Sequence, residues 1–400
     1  MECLSCGEPM VRNGTWVNKD NLTVQKYICI GCNEHSRVIS EDDDIISENV
    51  RLAKQKQALQ DKSRIANKSF REHARVENAI EEYTKELVKV FSNNKLSSSS
   101  NKFKTNNKAV GVIQLSDIHF NELINLQDNK YDFSIASARL RHLITKATKY
   151  FTMHKITNVL VALTGDLMNS DRRLDELLNE ATNRSQATFL AVDIMQQALR
   201  DLDSDFNVTV ACVTGNEGRI NKESGWSPIM ATDNYDFTIF NILKYVLKDS
   251  IINFVEGDPT ELVVKVAGQN LLLMHGNCSI RHAALEKSIN QVIGRYSMKG
   301  VTVDYVIMGH VHSASIGDNY SRSASLAGAN DYSDKGLNLS SRASQNCYIF
   351  YEDGNRDGIK IDLQNTPIDS GYDIDKSLAA YNAKSANKGK AHAVIMEIVI

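Results

Sequence analysis

AVGVIQLSDIHF, residues 109–120, decides the fold. Its first seven residues hold one polar side chain, Gln114, and predict a strand buried on both faces that stops at a Ser116-Asp117-Ile118-His119 turn. The same order returns four times. ITNVLVALT (156–164) ends on Gly165-Asp166 and NVTVACVT (207–214) on Gly215-Asn216. Strand 270–274 ends on His275-Gly276, and VDYVIM (303–308) on Gly309-His310-Val311-His312. Helical patterning fills 132–153, 171–202, 234–248 and 281–297. Further strands fall near 251–255 and 261–267, and residues 346–363 form a hairpin turning at Glu352–Gly358. Apolar strands alternating with helices predict a layered α/β domain over 109–365, its sheets flanked by helices.

Ligand sites in such sheets lie outside the carboxyl ends of the strands, so five turns of this kind converge on one place. Asp117, Asp166 and Asn216 with His119, His275, His310 and His312 make a mixed oxygen and nitrogen donor set. That set suits Mn2+, Fe2+ or Zn2+ better than Ca2+. A carboxylate bridges two cations ~3.5–4 Å apart, which a neutral imidazole cannot do.

In this order, D-x-H, G-D, G-N, H-G and G-H-x-H resemble the calcineurin-like metallophosphoesterase superfamily, matched here from 117 to 312. The resemblance implies a metallophosphoesterase sandwich holding two divalent cations, Mn2+ first, with Fe2+, Zn2+ or Ni2+ as substitutes. It implies that Asp117, His119 and His312 hold one ion and Asn216, His275 and His310 the other. Asp166 would bridge them, and a water between the ions would attack phosphorus in line. One position departs from the pattern. The family usually reads G-N-H-[DE], whereas here Gly215-Asn216 is followed by Glu217-Gly218-Arg219. Two cations favour an ionised carboxylate beside them. Glu217 is therefore expected to brace Arg219 or a water rather than to donate a proton, and Arg219 to stabilise charge on the phosphate. The catalytic set so defined is Asp166, Asn216, Glu217 and Arg219. A long polar loop, 327–346, follows the last motif and offers Asn330, Tyr332, Arg342 and Gln345, with Arg219, as substrate contacts.

Upstream the character changes. Cys3-x-x-Cys6 and Cys29-x-x-Cys32 bracket two short strands, Val11 to Val17 and Leu22 to Ile28, with too little apolar material for a core. Two such pairs complete a tetrahedral thiolate shell, so residues 1–40 resemble a zinc ribbon with one structural Zn2+. Residues 45–91 lack Gly and Pro and predict a helical arm. Its second half carries an apolar seam at Val76, Ile80, Tyr83, Leu87 and Val90, which suggests a homodimer. SNNKLSSSSNKFKTNNK (92–108) is a flexible linker, and 366–400 a C-terminal extension. Ribbon, arm and catalytic domain together resemble phage-encoded, nuclease-like members of the family.

The 400 residues carry a net charge of −3, unevenly spread. Residues 45–108 hold 14 Lys/Arg against seven Asp/Glu, while 109–400 sum to −6. A basic arm on an acidic enzyme suggests a polyanionic partner, and DNA is the leading expectation. The other three cysteines, Cys212, Cys278 and Cys347, do not make a disulfide framework. No membrane span and no secretory leader are read, so the expected location is cytoplasmic. The function expected first is a two-metal DNA nuclease. The alternatives are a phosphatase or phosphodiesterase for a small nucleotide or phosphoprotein, and a catalytically weak metal-binding scaffold.

Overall fold

The computed structural model describes residues 1–19, 23–39, 50–68, 70–71, 85, 108–221, 227–278, 280–336 and 341–386. The seam Val76, Ile80, Tyr83, Leu87, Val90 and the linker up to 107 lie outside them, as do residues 387–400. The chain divides into two compact units, Met1–Ala79 and Ile80–Ile400.

In the first unit β1 (Met10–Val17), β2 (Thr23–Cys29) and β3 (His35–Ile39) form an antiparallel sheet in that order. The third strand escapes the sequence reading because HSRVI is short and half polar. Buried hydrophobic residues here amount to Cys3, Val24 and Cys29 among the described positions. Residues 50–68 form a helix, α1, whose side chains are all exposed.

The second unit has two packed sheets. The larger contains β4 (Ala109–Leu115), β7 (Asn158–Thr164), β8 (Asn207–Val213) and β9 (Asn253–Val255), all parallel. The antiparallel hairpin of β15 (Ser344–Tyr351) and β16 (Arg356–Asp362) extends it, giving the order β16-β15-β4-β7-β8-β9. The smaller sheet runs β10 (Glu261–Val266), β11 (Gln269–Met274), β12 (Tyr305–Met308), β14 (Tyr320–Arg322), β13 (Ser315–Ile316). A small pair, β5 (Ile124–Asn125) and β6 (Lys130–Tyr131), stands apart.

Side chains alternate across each strand and so build three cores. Val112, Leu160, Ala162 and Val213 meet Leu271, Leu273 and Ile307 between the sheets. Ile113, Val161 and Val210 face outward onto α2 (Phe133–Met153), α4 (Arg184–Asp205) and α6 (Tyr235–Val246). Leu272 and Val306 on the smaller sheet meet Ile289 and Val292 of α7 (Leu285–Met298). The result is helix, sheet, sheet, helix. Each fully buried Leu, Ile or Phe contributes about 1.5–3 kcal/mol, which explains why strands buried on both faces dominate the sequence signal.

Two expectations shift. The helix expected over 171–202 is broken into α3 (Leu174–Leu178) and α4. The intervening backbone pairs instead with the first motif loop: Ala181 N–H donates to Asn121 O at 2.9 Å and Leu123 N–H to Asn179 O at 2.8 Å. Asn183 then caps α4 by accepting from Gln186 N–H at 3.0 Å. The extension beginning at 366 packs into the unit as far as it is described. Tyr372 and Ile374 join the outer core ahead of a short α8 (Asp375–Ala380). Asp132, the N-cap of α2, accepts from Ser385 Oγ and Ala386 N–H, both at 3.0 Å. A further short helix, α5 (Pro228–Thr232), precedes α6. Among the described residues no helix is long and apolar enough to cross a membrane.

Candidate metal centre

The five motif loops leave the carboxyl ends of β4, β7, β8, β11 and β12 and zip together through backbone bonds. Asp117 N–H donates to Gly165 O at 3.0 Å, His119 N–H to Asp166 O at 3.1 Å, and Gly309 N–H to His275 O at 3.0 Å. The loops touch so closely that a Cβ on Gly215 would lie 2.1 Å from Asp166 Oδ1. One on Gly309 would lie 1.9 Å from Ser116 Oγ.

Asp117, His119, Asp166, His310 and His312 all have left-handed backbones, with φ of 50°, 52°, 52°, 76° and 58°. Non-glycine residues held there cost about 1–3 kcal/mol each. Five together rival the whole net stability of a domain, so the surrounding hydrogen bonds must over-determine them. Strain concentrated on these side chains marks the site.

The seven donors fall into two clusters. Asp117, His119 and His312 each place a ligand atom within 4.8 Å of the others, and so do Asp166, His275 and His310. Asn216 joins the second cluster, its Oδ1 lying 3.1 Å from His275 Nε2. Asp166 Oδ2 is 2.9 Å from the same His275 nitrogen. His119 and His312 turn their Nε2 atoms toward each other at 3.0 Å, and the buried Nδ1 of His119 has no hydrogen-bond partner among the described residues. Imidazoles facing each other nitrogen to nitrogen, beside buried carboxylates, are donors aimed at a shared cation. The residues present therefore fit two divalent ions.

The electrostatics show the same demand. Burial pushes the Asp117 and Asp166 carboxyls up, but neighbouring imidazoles outweigh it and hold both below the usual range. Burial likewise lowers His275, yet the charge and hydrogen bond of Asp166 raise it to about 10. These buried carboxylates require positive charge beside them.

Several bracing residues escaped the sequence reading. Asp236, fully buried at the start of α6, accepts from Asp166 N–H and Leu167 N–H, both at 2.9 Å, and from Gly215 N–H at 2.8 Å. One carboxylate thus ties the second loop to the third. Burial and the charge of Asp166 raise it to about 6. Its signal, a carboxylate two residues after the helix-capping Asn234, was legible only as a helix start. Asp236→Asn keeps the volume but replaces an accepting oxygen with a donor, leaving at least one buried N–H unpaired at about 1–3 kcal/mol. The expected outcome is a lower melting temperature and metal affinity about 10–100-fold weaker, measured by chelator competition.

Arg172 was also missed. Its Nη2 donates to Glu217 Oε2 at 3.0 Å and its Nη1 to Asn216 O at 2.7 Å. Glu217 therefore has a charged partner in Arg172, beside the Arg219 or water expected from sequence. Arg219 lines a separate cleft of about 250 Å³, together with His275, Asn221, Cys278 and Arg295.

The larger cleft, about 550 Å³, has His119, Asp166, Asn216, His310 and His312 in its wall. Asn330 and Tyr332 line it as well. Asn330 Nδ2 donates to Glu122 Oε1 at 2.7 Å, and Tyr332, 58% exposed, lies under the Arg173 guanidinium. The other two expected contacts lie elsewhere. Arg342 makes a two-pronged pair with Asp362 at 2.7 and 3.2 Å. Gln345 is fully buried, bonded to Ser116 N–H and O at 2.9 Å each and to Ala324 O at 2.7 Å. It braces the first motif loop and cannot reach a substrate, because β15 begins at Ser344 and carries it into the sheet.

The N-terminal cysteines make a second centre. Two matching turns form it: Gly7 N–H donates to Cys3 O, Asn33 N–H to Cys29 O, and Gly7 and Asn33 both have positive φ. Neighbouring sulfurs lie 3.4–3.5 Å apart, close to the edge of about 3.8 Å for a tetrahedron with Zn–S of about 2.3 Å. The crowded thiols split in opposite directions. Backbone N–H bonds, that of Cys32 first, lower Cys29 to about 7, while at Cys32 the backbone bond from Glu34 is outweighed by the facing sulfurs of Cys6 and Cys3, which push it up to about 12. The donor set is closed and fits a structural zinc.

No protein-family model and no curated protein matches the sequence. Among solved structures, the chain is similar to wild-type Vps29 complexed with Zn2+ from Entamoeba histolytica. Identity is 18% over 42% of this chain and 89% of that one, with a TM-score of 0.24. It is also similar to 5'-nucleotidase from Candida albicans SC5314, at 9% identity over 73% of this chain and 57% of that one, with a TM-score of 0.31. Likeness at this level transfers no activity or residue role to this chain.

Proposed function

We propose that this chain is a two-metal phosphoester hydrolase whose substrate is a nucleic-acid phosphodiester. The observation that carries the hydrolase reading is the convergence of seven donor residues from five loops, five of them on strained backbone. Asp117, His119 and His312 would hold one cation and Asn216, His275 and His310 the other, with Asp166 shared. Bound there, two divalent cations supply Lewis-acid polarisation of a phosphoryl oxygen and an acidified water. Asp166 sets the spacing of the two clusters, and Asp236 and Gln345 fix the loops that carry the donors. Asn330, Tyr332 and Arg173 line the approach, where they can hold the substrate beside the reacting centre.

Support for nucleic acid comes from the first unit. Helix α1 exposes Arg51, Lys54, Lys56, Lys62, Arg64 and Lys68 against Asp61 alone. On the ribbon sheet Trp16, 44% exposed, lies within 6 Å of Lys26 Nζ and the Arg37 guanidinium carbon. An aromatic ring among cations suits stacked bases and phosphates. One observation favours a small phosphoester instead: Glu122, Asp175, Glu176 and Asp331 also line the larger cleft, and they repel a long polyanion.

Salt separates the two. Hydrolysis of linear DNA at subsaturating substrate should fall by about 10³-fold or more between 50 and 200 mM salt if six or more phosphates are engaged. Hydrolysis of a nitrophenyl diester should barely change. The assay pairs Mn2+, Mg2+, Zn2+ and Ni2+ with duplex DNA, single-stranded DNA, RNA and that diester. Equal, shallow salt dependence for all substrates favours the small-substrate reading.

A further inference from the structure

We infer that Glu217 and Arg172 form a positioning pair that fixes which end of the Asn216 amide faces the metal centre. The inference rests on the two-metal reading. An asparagine amide has two ends of similar size and opposite chemistry: the carbonyl oxygen is a cation ligand, the NH2 group is not. Rotation by 180° exchanges them almost without a change in shape. An asparagine ligand therefore needs a neighbour that tells the two ends apart.

Glu217 is that neighbour. Its Oε1 accepts from Asn216 Nδ2, which leaves Asn216 Oδ1 facing His275 Nε2 at 3.1 Å. A flipped amide would set oxygen against carboxylate oxygen. Glu217 is itself fixed by Arg172, whose guanidinium spans the Glu217 carboxylate and the Asn216 main-chain carbonyl. The two side chains are 12% and 18% exposed, so water competes weakly for the pair. The backbone of Glu217 is held too: its N–H donates to Asp166 Oδ1 at 2.7 Å and its carbonyl accepts from Arg184 Nη2 at 3.2 Å. With both carboxylate oxygens engaged as acceptors, Glu217 acts by aiming Asn216.

The test is a double-mutant cycle on the full chain, read as Mn2+ affinity by calorimetry after chelation. Glu217→Ala is expected to weaken the second Mn2+ site by about 10–100-fold, in the range seen when a ligand loses its supporting partner. The first site should stay unchanged. In an Asn216→Asp background the same Glu217→Ala change should cost nothing, because a carboxylate presents oxygen whichever way it turns. Arg172→Gln should give an intermediate loss in the Asn216 background alone. Equal losses in both backgrounds, or no loss in either, overturn the inference. Fewer than two Mn2+ bound by the unaltered chain overturns the two-metal reading and this inference with it.

Discussion

Asp166→Asn is expected to lower turnover of a chromogenic phosphodiester by about 10³-fold or more and to leave the chain folded with one catalytic ion fewer. That loss follows from losing several kcal/mol of transition-state stabilisation when two cations cannot be held together. The fold should survive because the amide that replaces the carboxylate keeps a carbonyl oxygen at Oδ1, the atom that receives Glu217 N–H at 2.7 Å. What disappears is the charge beside His275, 2.9 Å from Oδ2. Metal analysis and circular dichroism on the same sample separate the two effects.

The second large effect lies in the ribbon. Cys29→Ser should abolish its zinc and unfold residues 1–39, while hydrolysis of a small diester continues. Structural zinc contributes roughly 10–16 kcal/mol to units of this kind. Here Cys3, Val24 and Cys29 are the buried hydrophobic residues among the described positions of the ribbon, so those positions give the sheet little apolar core. Limited proteolysis with zinc analysis checks it. A ribbon that resists protease without zinc would show that the cysteines are not its staple.

How far the sequence could be read depends on range. The strands at 109–115, 158–164 and 207–213 were legible because burial on both faces demands unbroken apolar runs. The seven candidate ligands stood out because Asp, Asn and His at glycine-rich strand ends have no packing reason to be there. Bracing residues were hidden, since their partners are distant in sequence: Asp236 meets Asp166 across 70 residues and Gln345 meets Ser116 across 229. Gln345 read as a loop residue because SSRASQN is polar, yet its own amide is spent on the buried backbone groups of Ser116 and Ala324. The helix break at 179–183 was equally hidden, because it follows from pairing with Asn121 and Leu123 rather than from local propensity.

Asp117, His119, Asp166, Asn216, His275, His310 and His312 are proposed to hold two catalytic cations. Mn2+ titration of the chelator-treated full chain, with bound metal and nitrophenyl diester hydrolysis measured at each step, tests it most directly. The expected result is two Mn2+ per chain beyond one retained zinc, hydrolysis rising as the second ion binds, and both responses lost in His310→Ala. Saturation at one ion, or hydrolysis that is indifferent to Mn2+, would contradict it.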